Sequence, residues 1–415
     1  MREMKESGVE WIGEIPAHWS PIRFRFIAKI TTGNQDTQNA DPDGEYPFYV
    51  RSPIVERCNN YTFDGKGILM AGDGAGAGRV FHLVDGKYAV HQRVYRFYDF
   101  KYMDPVLLKY YLENLFATVM DYGSAKTTVP SVRLPMIQDF VVCVPPKKEQ
   151  DNIVAVLNEK CAQVGSLISN VQAQIEKLKA YKQSLITEVV TKGLDPTVPM
   201  KDSGFEWIGE IPAHWEITRK LAFVTTEGIS YGIVKLFDPD DVNGVKVLRC
   251  SDVLEGFIKP DNIRTVTREV SNEYARTILA GGEVLVNVRG SLGGCAVAPE
   301  EMAGYNIARE VAKITLNSRM CNRYVMYYLL SRCFVEYRTS HLSGSVYVGL
   351  NIELLSSCPL PNPELTEQKA IADYLDKKCS QIDHLIAIKQ AKSEKLEQYK
   401  QSLIYEYVTG KREVM

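Results

Sequence analysis

The residues able to do chemistry are present in this chain, but not in arrangements that support a catalytic step. The run GDGAGAGR (72–79) has the glycine density of a phosphate loop. It lacks both the Gly-Lys-Ser/Thr ending and the GxGxxG spacing that gather backbone amides around a phosphate, so it reads as a Gly-rich hairpin or loop. There is no Gly-x-Ser-x-Gly elbow, no HExxH, and no Asn-Pro-Pro-aromatic or Asp-Pro-Pro-Tyr run of the kind amino-methyl transfer requires; Asn362-Pro363-Glu364 does not qualify. Asp376-Lys377-Lys378 could be forced into a nuclease pattern, but it falls in a heptad helix, where a solvated face accounts for it. The 9 cysteines form no CxxC pair, and no histidine stands at ligand spacing, so neither a disulfide framework nor a zinc site is indicated.

What remains is contact chemistry. The chain has a net charge of −2, which by itself gives nucleic-acid binding no support, but the charge is unevenly spread. Residues 79–133 hold 8 Lys+Arg against 5 Asp+Glu, and 305–347 hold 6 against 2, whereas 216–304 hold 10 against 13. Arginine and glutamine can bind guanine and adenine edges bidentately in the major groove, and Lys, Ser, Thr and Asn can meet phosphates or single base atoms. The candidates in the first basic region are Arg79 with the loop before it, His91, Gln92, Arg93, Lys126 and Thr127. In the second variable segment they are Asn287, Arg289 and Ser291, which precede the second basic region, and Arg309, Ser343, Ser345 and Tyr347 within it.

These residues sit in a duplicated chain. SGVEWIGEIPAHW (7–19) returns as SGFEWIGEIPAHW (203–215), with 12 of 13 positions identical at an offset of 196. A period this long means doubled domains, since solenoid repeats run to about 50 residues. The Trp, Ile, Pro and His of the motif suggest a packed, turn-rich segment, with His18 and His214 on a docking surface rather than at a catalytic centre. Each motif leads into a variable segment of short β-like runs, such as YPFYV (46–50), GILMA (67–71), RVFHLV (79–84) and RVYRFY (93–98) in the first, and VKVLRC (245–250), EVLVNVRG (283–290) and EVAKITL (310–316) in the second. A helix follows in each, at 104–120 with Asp104 as N-cap and Pro105 at the first helical position, and near 322–337. Tyr110-Tyr111-Leu112 and Tyr327-Tyr328-Leu329 match at an offset of 217.

Proline-marked exits, VVCVPPKKEQ (141–150) and CPLPNPELTEQ (358–368), then lead into two long helices, 149–192 and 367–409, that are copies of one element at an offset of 218. In the first, Leu157, Val164, Val171, Leu178 and Leu185 recur every seven positions beside a second row of Val154, Cys161, Ile168, Ile175 and Val189. The second keeps Leu375, Ile382, Leu396 and Leu403 with Ala372, Cys379, Ile386 and Tyr407, interrupted by Lys389, Ser393 and Lys400. Each helix would be roughly 65 Å long, and the matching seams are buried most simply against each other. The expected fold class is α/β (α+β): two globular mixed domains separated by two long antiparallel helices forming a coiled coil, in a circular pseudo-twofold arrangement with the C-terminus beside the N-terminus. The expected divisions are 1–19, 20–144, 145–193, 194–215, 216–362 and 363–415. With no run of about 18 apolar residues and no apolar core near the N-terminus, the chain reads as cytoplasmic, without a membrane.

The doubled WIGEIPAHW, the PPKKEQ and PELTEQ exits with Ile153 or Ile371 and Leu157 or Leu375 behind them, and the two YKQSLI helices together resemble the specificity subunit of type I restriction–modification enzymes. The resemblance covers essentially the whole chain. It implies two target-recognition domains, each binding half of a split double-stranded DNA sequence, and helical regions that dock methyltransferase subunits, with restriction/translocase subunits joining the complex. It also implies that catalysis lies in those partners, which would use S-adenosylmethionine, ATP and Mg, and that this chain binds no cofactor itself. Two dissimilar reading faces on a stiff spacer select two unlike short sequences, so the target should be asymmetric and bipartite. Two other readings stay open: a self-contained DNA methyltransferase or nuclease specificity region, and a coiled-coil scaffold without DNA binding.

Overall fold

The computed structural model of the chain describes residues 2–123, 130–234, 244–342 and 349–414. It divides into two compact units, one of residues 1–172 with 390–415 and the other of residues 173–389. Both boundaries fall inside the long helices, Lys147–Lys192 and Leu365–Val408, so each helix contributes one part to each unit. The two units are built on one plan.

In the first unit, a four-stranded antiparallel sheet has the order Lys29–Thr32, Val94–Tyr98, Gly67–Ala71, Phe81–Val84. Gly67–Ala71 is buried on both faces, which is why it reads as an unbroken apolar run rather than an alternating one. Beside it, Tyr46–Tyr49 runs parallel to Lys87–Val90. The second unit repeats this with Ser230–Tyr231, Val311–Ile314, Val284–Asn287 and Cys295–Val297, and with Val245–Leu248 parallel to Asn306–Ile307. One glycine per unit makes the match tight. A Cβ at Gly33 would lie 2.0 Å from the Val90 carbonyl oxygen, and one at Gly232 would lie 1.8 Å from that of Ile307, so only glycine lets the chain pass there.

The helix expected after the strands runs from Pro105 to Gly123, with the Asp104 carboxylate accepting from the Val106 N–H at 2.8 Å. Its counterpart is two helices, Asn322–Leu330 and Arg332–Leu342, and not one. The break is at Ser331, whose ψ of 159° is extended. The Ser331 hydroxyl donates to the Tyr328 carbonyl at 2.6 Å, and the Arg332 N–H released from the helix donates to Thr187 Oγ1 at 2.9 Å. The repeated Tyr-Tyr-Leu is a core device. Tyr111 Oη donates to the Val141 carbonyl at 3.2 Å and Tyr328 Oη to that of Pro359 at 2.6 Å, fastening each helix to the segment that leaves the domain.

The long helices pack together through their seams. In the first unit Ile153, Leu157 and Cys161 share a core with Leu403, Ile404 and Tyr407; in the second Leu185, Ile186 and Val189 share one with Ile371, Leu375, Cys379 and Ile382. The start of one helix thus meets the end of the other, which makes the pair antiparallel. Every residue in the two heptad rows of the first helix is buried or half-buried. In the second helix Ser393 is buried in the seam, and Lys389 reaches Gln174 Oε1 at 2.5 Å.

The repeated motifs and the Glu-Gln dipeptides explain each other. Trp19 and Trp215 are fully buried. Glu149 Oε2 accepts from Trp19 Nε1 at 3.0 Å and lies 2.8 Å from His18 Nε2, while Glu367 Oε2 lies 3.1 Å from His214 Nε2. The neighbouring glutamines are buried cross-braces. Gln150 Oε1 accepts from the Asp104 N–H at 2.7 Å while its Nε2 donates to the Tyr102 and Pro145 carbonyls; Gln368 Oε1 accepts from the Cys321 N–H at 2.8 Å and its Nε2 donates to the Pro363 carbonyl. The N-terminal motif also packs on the end of the second long helix, where Tyr405 Oη donates to the Trp11 carbonyl and Arg2 to that of Gly410. The two ends of the chain therefore meet within the first unit.

Candidate nucleic-acid interface

Strand register places the candidate residues of the two units on a common frame. Val94 pairs with Ala71 and Val311 with Asn287, so Asp73 and Arg289, two positions on from Ala71 and Asn287, occupy the same place, as do Arg93 and Glu310. The backbone agrees: the Gly72 N–H donates to the Arg93 carbonyl at 2.9 Å, and the Val288 N–H to the Glu310 carbonyl at 2.8 Å. These residues lie on the turns at the ends of the strands, where connections carry function on a rigid scaffold.

In the first unit the structure gathers Asp36, Arg51, Asp73, His91, Gln92 and Arg93. Asp73 receives Arg51 Nη1 at 2.9 Å and Arg93 Nη1 at 2.6 Å, and Gln92 Nε2 donates to Asp36 at 2.8 Å. Asp73 is only 14% exposed, and although burial works against its charge, the bonds from Arg93 and Arg51 hold its carboxyl below the ordinary carboxylate range. His91 is buried and its Nδ1 accepts the Arg93 N–H at 3.0 Å, which makes it a support for the turn and not a base-reading side chain. Burial, followed by the charge of Arg51, lowers its pKa. Arg79 is exposed and stands apart from this group, lining a groove with Glu113, Asn114, Gln398 and Gln401. Lys126 and Thr127 lie outside the described residues, as do Ser343, Ser345 and Tyr347.

In the second unit Arg289 is exposed with its guanidinium 5.6 Å from the centre of the Tyr231 ring, and Arg309 is exposed beside Glu310 at 3.6 Å. Asn287 is placed differently. It is 2% exposed, and its Nδ2 donates to the carbonyls of Cys250, Val253 and Ser291, so it organises the turn and does not face outward. Ser291 is exposed and supplies one of those carbonyls.

The count of basic residues overstates the charge available to a partner. Arg96 is buried, with Nε donating to Tyr88 Oη at 2.8 Å and its guanidinium over the Phe63 and Tyr98 rings. Lys313 is buried against Glu227, and Arg323 is bound to Asp373 and Asp376 of the second long helix. Two residues of the first cluster, Arg51 and Asp36, were not among the sequence candidates. Nothing in their local spacing marks them, because register across the parallel strands brings them beside His91.

Two unequal surfaces on one duplicated scaffold, joined by a helical pair, describe a recognition protein. The family model of the type I restriction modification DNA specificity domain matches residues 16–177 and 216–398, and the chain belongs to that family. It is 26% identical to the type I restriction enzyme MjaVIII specificity subunit of Methanocaldococcus jannaschii, over 96% of this chain and 93% of that protein. It is 23% identical to the EcoDI specificity subunit of Escherichia coli, over 86% and 81%. A solved chain from work on complex assembly and conformational transition of the type I R-M system is alike over 96% of this chain and 99% of that one, with a TM-score of 0.68 and 17% identity, a likeness of fold. Among the described residues no helix is long and apolar enough to cross a membrane.

Proposed function

We propose that this chain is the non-catalytic subunit that gives a type I restriction–modification complex its DNA sequence specificity, reading an asymmetric, bipartite double-stranded target with one half assigned to each unit. The observation that carries this is the pairing of one strand frame with opposite rim chemistry: Asp73 and Arg93 in the first unit stand where Arg289 and Glu310 stand in the second. Equivalent backbone with exchanged donors and acceptors suits two unlike half-sites. Methyltransferase and restriction/translocase subunits complete the complex and use S-adenosylmethionine, ATP and Mg. The near-neutral chain then relies on those partners for much of the phosphate contact.

The test is to assemble the chain with its methyltransferase partner and methyl donor and to map the methylated motif on random-sequence DNA. Two unlike short halves around a fixed gap are expected, and replacing residues 20–144 by the corresponding segment of a relative should change one half only. A palindromic or undivided motif would overturn the proposal, and methylation by the chain alone would favour a self-contained enzyme.

A further inference from the structure

We infer that Arg51, Asp73 and Arg93 form a guanine-reading fork in the first unit, with Asp73 as the positioning residue; this rests on the DNA-recognition reading above. Both guanidinium groups bind the one carboxylate through Nη1, at 2.9 and 2.6 Å, and among the described residues no other side chain hydrogen-bonds either of them. Arg51 is 42% and Arg93 61% exposed at the side chain, while the carboxylate between them is 14% exposed. Each arginine is therefore held by one nitrogen and offers its remaining N–H groups outward.

The carboxylate decides between two uses of these arginines. A fixed negative charge between its cations weakens a site that only anchors phosphate, since that charge repels the phosphate. A base-reading site gains orientation: the carboxylate fixes the planes of two otherwise flexible guanidinium groups, and a planar fork matches the N7 and O6 acceptors of guanine. His91 holds the backbone of this arrangement, accepting from the Arg93 N–H at 3.0 Å. Among its described residues the second unit has no such fork. Register puts Cys250 at the place of Arg51, because Tyr49 pairs with Val90 as Leu248 pairs with Ile307, and it puts Glu310 at the place of Arg93. The half-site read by the first unit should thus require guanine at positions that the other half does not.

The experiment compares complexes carrying Arg51→Lys, Arg93→Lys or Asp73→Asn with the unaltered complex, by methylation of a DNA library randomised in one half-site at a time. Lysine keeps the charge but lacks the planar two-nitrogen fork that the carboxylate orients. Discrimination for guanine should fall by about tenfold or more at positions confined to one half, with the other half unchanged and serving as the control for folding. Unchanged discrimination, or an equal loss on matched and unrelated DNA, would overturn the fork and leave phosphate anchors. If the unaltered complex methylates without any sequence preference, the DNA-recognition reading itself fails, and that result is distinct from the other two.

Discussion

Glu149 in the first unit binds Trp19, His18 and Arg2, whereas among the described residues of the second the Glu367 carboxylate binds only His214, and Trp215 Nε1 is buried without a partner. The glutamine after each glutamate makes the same cross-brace in both units. At the rim the divergence goes further, to exchanged charge at Asp73 and Arg289 and at Arg93 and Glu310. The gradient runs from the helix starts to the rim. The glutamines that satisfy enclosed backbone groups at the helix starts agree, because an unpaired buried amide or carbonyl is costly, whereas the rim differs in its exposed charges and also in the side chains that brace its turns, Asn287 against Ala71 and His91 against Ala308.

That comparison can be broken at its strongest point first. Gln150→Ala and Gln368→Ala should each destabilise their own unit by about 3 kcal/mol, since each leaves one N–H and at least one carbonyl enclosed and unpaired. Urea unfolding followed by unit-resolved hydrogen exchange would measure this, and markedly unequal losses would show that the two cross-braces are not equivalent. The glutamates should be unequal. Glu149→Ala should cost about 2 kcal/mol, because it orphans the buried Trp19 indole N–H, and Glu367→Ala well under about 1 kcal/mol, because it frees only a half-exposed histidine. Equal melting shifts for the two variants would contradict the bonding difference.

Much of this scaffold is legible in the sequence, because repeats and periodicity report packing. The heptad rows gave both long helices to within two residues at each end, and the runs GILMA and RVYRFY are strands. The short edge strands Lys29–Thr32 and Ser230–Tyr231 carry no such pattern, and the break at Ser331 depends on Thr187, which lies far away in sequence. The rim was harder to read because charge counts do not know burial. Arg96, Lys313 and Arg323 add to the basic total yet are bound internally, and His91 and Asn287, chosen for their chemistry, serve the turns. Asp73 and Arg93 lie 20 residues apart in the chain, so only strand register joins them.

The remaining predictions separate the two rims. Arg289→Ala should relax recognition in the second unit's half-site alone, by about 1 to 3 kcal/mol in discrimination, as measured by competition binding against DNA altered in either half. An equal loss on unrelated DNA would make Arg289 a phosphate contact.

The smallest effect expected is a pH dependence confined to the first unit. Neutral His91 accepts the Arg93 N–H through Nδ1, and burial with the nearby charges of Arg51 and Arg93 lowers its pKa despite Asp36 and Asp73. A histidine whose folded pKa is lowered stabilises the fold above its unfolded value of about 6.5, and that contribution is lost as the pH falls below it. Acidification from neutrality should therefore loosen the turn bearing Arg93, seen as faster amide exchange there. His91→Asn, which keeps an acceptor but cannot titrate, should remove the dependence. The second unit has Ala308 at this place and should show no matching loss, so a parallel change in both units would point away from His91.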